Sequence, residues 1–227
     1  MRDTWPFLLP FGLGAAVAFY LAKEFGDTKA GWLGVLLVIG GLVSALSLRA
    51  ETLDRELGPQ LAGQVGGESL APRWAQEVLG PWWTGPALIP RWIVAREERW
   101  GSLYLLRLTI RNSGRETDLV LSMQGRELPR LTAHRKGRPN REDASAMEQW
   151  NVTADPGTDE LLVQWIVEAV ETLGVAAFQI DGKKLWCRVR DPGVAFLGDN
   201  SSDRRQWLAT LVERAAELGR ELERLRG

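Results

Sequence analysis

Very few residues in this chain could carry chemistry. It has one histidine, His134, and one cysteine, Cys187. His134 sits among Arg130, Arg135, Lys136, Arg138 and Arg141. A neutral imidazole is the side chain most often used as a general base. A base also needs a partner to deprotonate and a group to orient it, and the sequence shows neither, so an exposed loop histidine is expected. Cys187 alternates with Leu185 and Val189 and shares a strand face with them, which makes it a small core residue rather than a nucleophile. One histidine and one cysteine exclude a His-rich zinc site. No G-x-x-x-x-G-K-[ST], H-E-x-x-H, C-x-x-C or G-x-S-x-G occurs in the chain, and Gly12-Leu13-Gly14 begins like a dinucleotide fingerprint but lacks its third glycine. No catalytic residue, metal or cofactor is expected.

The cations around His134 form a binding candidate of their own. Between Arg126 and Arg141 the only acidic residue is Glu127. Near an anionic surface such a segment holds lipid head groups at ~1 kcal/mol per residue. Arg130, Arg135, Lys136, Arg138 and Arg141 are therefore candidate contacts for anionic lipid or for a partner. The alternative is a solvated loop neutralised by Glu142, Asp143 and Glu148. The chain as a whole has a formal net charge of -1 and a pI of about 6.0, so it offers no global basic field, and nucleic-acid binding is not expected. A single cysteine leaves no internal disulfide framework and fits a reducing compartment.

The elements that would position these residues begin with two uncharged runs, Thr4–Ala22 and Ala30–Leu48, separated by Lys23–Lys29. As a helix, each run would be roughly 28 Å long at ~1.5 Å per residue, close to a bilayer core. The expectation is a two-helix transmembrane hairpin over residues 1–50 and an integral membrane protein. Small residues at four-residue spacing, Gly14, Ala18 and Ala22 in the first run and Gly40 and Ser44 in the second, would let the helices approach closely. Arg2, Arg49 and Arg55 on the terminal side outnumber Lys23 and Lys29 in the connection, which places the rest of the chain in the cytoplasm. The rivals are a cleaved signal peptide ending at Ala16-Val17-Ala18 and a buried helix pair in a soluble core.

Residues 51–87 read as a juxtamembrane connector, with a helix ended by Gly58-Pro59 and a Trp82-Trp83 pair between Gly80-Pro81 and Gly85-Pro86. Residues 88–227 read as a soluble α+β domain. Period-two patterns predict strands over Ile89–Arg99, Ser102–Asn112 and Glu116–Met123, with shorter ones over Leu128–Ala133 and Gln149–Ala154. Thr158 would cap a helix closed by Gly174. Val175–Ile180 and Lys184–Arg190 form a hairpin around Asp181-Gly182. In the last helix, Arg204–Leu225, the residues Leu208, Leu211, Ala215, Leu218, Leu222 and Leu225 step by three and four, a heptad seam. Its later part, Leu218, Leu222 and Leu225, is the candidate partner helix. Short turns without helical crossovers make the sheet antiparallel, with one packed helix and a long C-terminal amphipathic helix.

The run Glu127-Leu128-Pro129-Arg130-Leu131, the strand Glu148-Gln149-Trp150-Asn151-Val152, Asp155 before a helix, and the hairpin Ile180-Asp181-Gly182-Lys183-Lys184-Leu185 together resemble small bacterial, actinobacterial-type membrane-anchored proteins with a domain of unknown function. The resemblance covers roughly Gly85 to Asp191 and implies location and fold type, with no activity to carry over. The expected function is a membrane-anchored, non-enzymatic interaction, scaffold or accessory protein, with membrane lipid and either a protein partner or a homo-oligomer as its contacts. The alternative is a membrane-bound enzyme or an anionic-lipid-handling protein whose site forms from scattered residues.

Overall fold

The computed structural model describes residues 5–225 except 27, 84, 86, 111–113, 126, 137–145 and 191–200. The chain divides into two compact units, Met1–Glu56 and Leu57–Gly227.

The first unit is built from α1 (Trp5–Phe25) and α2 (Thr28–Gln64), whose last turns belong to the second unit. The two helices meet through small residues. A Cβ added at Gly41 would lie 2.9 Å from the Cβ of Phe11, one at Gly34 3.2 Å from the Phe19 ring, and one at Gly14 3.1 Å from Leu37. Each glycine gives a bulky neighbour the room that a side chain would occupy.

The helix pair is present, but the transmembrane hairpin is not: among the described residues no helix is long and apolar enough to cross a membrane. Freedom from charge is a weaker property than sustained apolarity. Gly12, Gly14, Ala15, Ala16 and Ala18 in the first run, and Gly31, Gly34, Gly40, Gly41 and Ser44 in the second, add length with little transfer free energy. The transmembrane helices, the integral-membrane location and the orientation derived from them are therefore withdrawn.

The second unit is an eight-stranded sheet with helices on it. Its strands are β1 (Glu68–Leu70), β2 (Leu88–Glu98), β3 (Gly101–Ile110), β4 (Gly114–Met123), β5 (Leu131–Arg135), β6 (Trp150–Ala154), β7 (Val175–Asp181) and β8 (Lys184–Val189). They lie in the order β1-β2-β3-β4-β8-β7-β5-β6, and every neighbouring pair is antiparallel. The helices are α3 (Ala75–Leu79), α4 (Ala146–Gln149), α5 (Glu160–Glu171) and α6 (Ser201–Arg224). Part of the expected connector thus builds the domain: β1 extends the sheet edge, and Leu57, Leu61 and Val65 are buried in the main core.

Alternation along the strands gives the sheet two apolar faces. On the first, Leu103, Leu105, Leu119, Leu121, Leu185, Cys187 and Phe178 pack with Ile166 and Val170 of α5 and with Leu208, Val212, Ala215 and Leu222 of α6. The second face, with Ile93, Leu106, Leu108 and Val120, packs with Ala75, Val78 and Leu79 of α3. Leu88 and Ile93 share this face although five residues apart, because the ladder shifts register between Pro90 and Trp92. The bulge inserts one residue, reverses the parity, and takes up a proline that cannot donate to the ladder. At the start of α5 the cap is Asp159, whose carboxylate accepts from the Leu161 N–H at 2.9 Å. Thr158 instead donates its hydroxyl to the Asp155 carbonyl at 2.8 Å.

Candidate functional site

Register across β4 and β8 sets Asp118 opposite Arg188 and Val120 opposite Trp186, on the second face of the sheet. Asp118 is 2% exposed. The Trp186 indole N–H donates to its Oδ2 at 3.0 Å, and Arg188 Nε donates to its Oδ1 at 3.4 Å. Arg188 Nε also lies 2.7 Å from Glu116 Oε2, and its guanidinium carbon stands 5.1 Å from the centroid of the Trp186 ring. Trp82 stacks on Trp186, with centroids 6.1 Å apart and planes at 21°. Burial pushes the Asp118 carboxyl up to about 6; Arg188 and the indole N–H pull it down, and the Glu116 charge adds to the rise. The group titrates in the range a general acid needs, yet it is shut off from solvent and its oxygens are occupied by Trp186 and Arg188. It ties β4 to β8 and holds Trp186 under Trp82.

Beside this cluster lies an open cleft of about 650 Å³ whose walls include Glu68, Leu70, Trp74, Glu77, Glu97, Tyr104 and Lys184. Lys184 Nζ donates to the carbonyls of Glu77 and Val78 at 3.1 and 3.2 Å. The ammonium thus satisfies acceptors at the C-terminal end of α3, where helix carbonyls lack partners. Glu97 accepts from the hydroxyl of Ser102, its cross-strand neighbour, at 2.9 Å. A second cleft, about 400 Å³, runs along α6 past Leu173, Gln206, Trp207, Thr210 and Arg214.

The residues singled out in the sequence are spread apart. His134 is exposed on β5, with its Nε2 3.2 Å from the amide nitrogen of Asn151. Arg130, just before the same strand, pairs with Asp181 at 3.5 Å and is exposed. Arg135 donates to Gln149 Oε1 at 2.8 Å and lies 3.6 Å from Glu171. Lys136 is exposed, and Arg138 and Arg141 lie outside the described residues. Leu218 and Leu222 are 4% and 0% exposed in the domain's own core, whereas Leu225 is 53% exposed. Cys187 is fully buried, and burial, with the Asp118 charge adding, raises its thiol well above the usual range. Among the described residues, no three His, Cys, Asp or Glu side chains gather as a metal site would require.

Sequence reasoning missed Asp118. The available signal was a carboxylate beside the apolar run Leu119-Val120-Leu121, in a strand predicted to alternate.

In the first unit, the outer surface is the notable feature. Leu9, Leu13, Val17, Phe19, Tyr20, Leu21 and Phe25 of α1, and Trp32, Leu33, Val35, Leu36, Val38, Ile39, Leu42 and Val43 of α2, are between 37% and 76% exposed.

No family model and no curated protein matches the chain. Among solved structures it is similar to the crystal structure of the mycobacterial trehalose monomycolate transport factor A, TtfA, with 11% identity and a TM-score of 0.43, over 71% of this chain and 95% of that one.

Proposed function

We propose that this protein is an accessory factor that acts by binding another protein chain rather than by catalysing a reaction, and that the outer surface of α1 and α2 is where it binds. One observation carries this reading: seven large apolar side chains on α1 and eight on α2 stand open. Half-exposed, each leaves about 1 kcal/mol of transfer free energy unrealised, equivalent to ~40–60 Å². Together they present on the order of 600–900 Å² of apolar surface, above the largest patch of a typical monomer and comparable to the ~800 Å² per partner of a standard interface. The partner's contacting surface is apolar and uncharged, because between Thr4 and Ala22 and between Ala30 and Leu48 there is no charge to meet an ion. A catalytic reading has less support: the titratable carboxyl, Asp118, is enclosed, and the ammonium of the larger cleft is taken by backbone carbonyls.

The test is photo-crosslinking in cells of the full chain carrying a photoreactive residue at Leu13 or Leu36, with a probe at Leu161, exposed on α5, as control. The expected result is a protein adduct from Leu13 and Leu36 and none from Leu161. Equal adducts from all three positions, or adducts with lipid alone, would overturn the reading.

A further inference from the structure

The larger cleft, on the second face of the sheet, has a low floor and a tall rim. Strand pairing lines up Glu68, Ala95 and Tyr104 in one row, and Glu97, Ser102, Ser122 and Lys184 in the next. Ala95, Ser122 and the pair Gly66-Gly67 rise little from the backbone, so about 650 Å³ stays open between them and the rim of Trp74 and Glu77. That volume is within the range of small-molecule sites, roughly 300–1,000 Å³.

The charges lining it do not balance. Three carboxylates, Glu68, Glu77 and Glu97, share the cleft with one ammonium, Lys184. The ammonium is already taken up by the Glu77 and Val78 carbonyls, and Glu97 is engaged only by a neutral hydroxyl, that of Ser102. Among the described residues, the carboxylates of Glu68 and Glu77 have no hydrogen-bond or ion-pair partner. Two aromatic rings complete the walls: Trp74, 42% exposed, and Tyr104, half-buried.

We propose that this cleft binds a linear oligoamine, whose ammonium groups meet Glu68, Glu77 and Glu97 while its methylene stems lie on Trp74 and Tyr104. The site is separate from the outer surface of α1 and α2 and does not rest on the docking reading. The carboxylates do not gather as a metal site requires. Glu68 and Glu97 are diagonal neighbours across β1 and β2, about 7–8 Å apart at the backbone. A ligand that meets both must therefore spread its charge along its length. An anionic ligand would be repelled, and a purely apolar one would desolvate the carboxylates without pairing them. An ammonium and the polarised methylenes beside it also suit the faces of the two rings.

The full chain is titrated with spermidine by isothermal calorimetry at about 0.15 M salt, where free charges are screened beyond ~8 Å. One saturable site is expected. The double variant Glu68→Gln, Glu97→Gln should weaken it about tenfold or more, and Trp74→Ala about threefold to tenfold. All three side chains are exposed, and thermal melts confirm that the variants stay folded. Glu217→Gln with Glu221→Gln, exposed acids on α6, changes the net charge equally and should leave the affinity as it is. The absence of saturable binding would overturn the inference. So would an equal loss in the α6 variant, full displacement by magnesium at matched ionic strength, or unchanged affinity in Trp74→Ala. Tighter binding of an oligolysine peptide than of spermidine would overturn it too, by assigning the cleft to a basic protein segment.

Discussion

Gly219, towards the C-terminal end of α6, lies directly against the indole of Trp100 at the turn between β2 and β3; a Cβ at that position would overlap the ring at Cε2 and Cζ2. Trp100 is 2% exposed, so the packed core around the ring leaves it little room to swing clear. A helix-interior glycine normally costs about 1 kcal/mol relative to alanine. Here the steric term is larger, because overpacking a closed core costs typically ~1–3 kcal/mol and a rigid ring relaxes poorly. Gly219→Ala is therefore expected to lower the unfolding free energy, read as an earlier midpoint in urea with an unchanged slope. A variant as stable as the parent would mean that the ring has room to shift.

The heptad seam of α6 gives a second expectation. Leu218 and Leu222 lie in the main core with Leu208, Val212 and Ala215. Leu222→Ala should cost ~2–5 kcal/mol, the range for emptying a leucine site in a packed interior. Leu225→Ala, on the same seam but 53% exposed, should cost well under 1 kcal/mol. Equal midpoint shifts for the two variants in thermal melts would show that the seam serves something other than this core.

Most of the second unit was legible because its signals are local. Alternation set β2, β3 and β4 within two residues, the Asp181-Gly182 turn gave the β7–β8 hairpin, and the three-and-four spacing gave α6. Non-local reasons stayed hidden. Gly58-Pro59 reads as a helix breaker, yet α2 runs on to Gln64. Gly58 is needed there because a Cβ would come within 2.6 Å of the Cβ of Trp92, on a strand more than thirty residues away. The same limit applies to the cluster on the second face. Asp118, Arg188, Trp186 and Trp82 belong to three separate segments, and only the register of β4 against β8 brings them together. The error over the membrane was of another kind. Both runs lack charge and hold many large apolar residues, but the glycines and alanines between them lower the mean apolarity of each helix.

Cys187 offers a probe of opening. Its side chain is fully buried on the first face, and its thiol is held in the protonated form by burial and by the nearby Asp118 charge. The thiolate is the reactive species, so the native protein should react with a disulfide reagent only as fast as the domain opens. At pH 8 the rate should be orders of magnitude below that of the chain in 6 M guanidinium. It should also rise in Leu222→Ala, about tenfold for each ~1.4 kcal/mol of stability lost. Rapid labelling of the native parent would contradict the burial.

The Asp118 carboxyl makes a prediction about pH whose sign is fixed by the direction of its shift. Its ordinary value is 3.8, and in the folded chain it is about 6. Below 3.8 the group is neutral in both states and costs the fold nothing. Between the two values the folded state keeps a proton that the unfolded chain releases, so stability falls as pH rises. Above about 6 the full cost is present, on the order of 3 kcal/mol for a shift of this size. The partners facing the group, Arg188, the Trp186 N–H and Glu116, are already included in that balance. Asp118→Asn removes the buried charge while keeping an oxygen to accept from Trp186, and Arg188 retains Glu116 at 2.7 Å. The variant should therefore match the parent in urea unfolding near pH 4 and exceed it by a gap that opens between pH 4 and about pH 6 and then stays level to pH 7.5. Parallel profiles for the two proteins across that range would show that the carboxyl is not strained by its surroundings. A variant less stable than the parent at pH 7.5 would show that the ion pair with Arg188 outweighs the cost of burial.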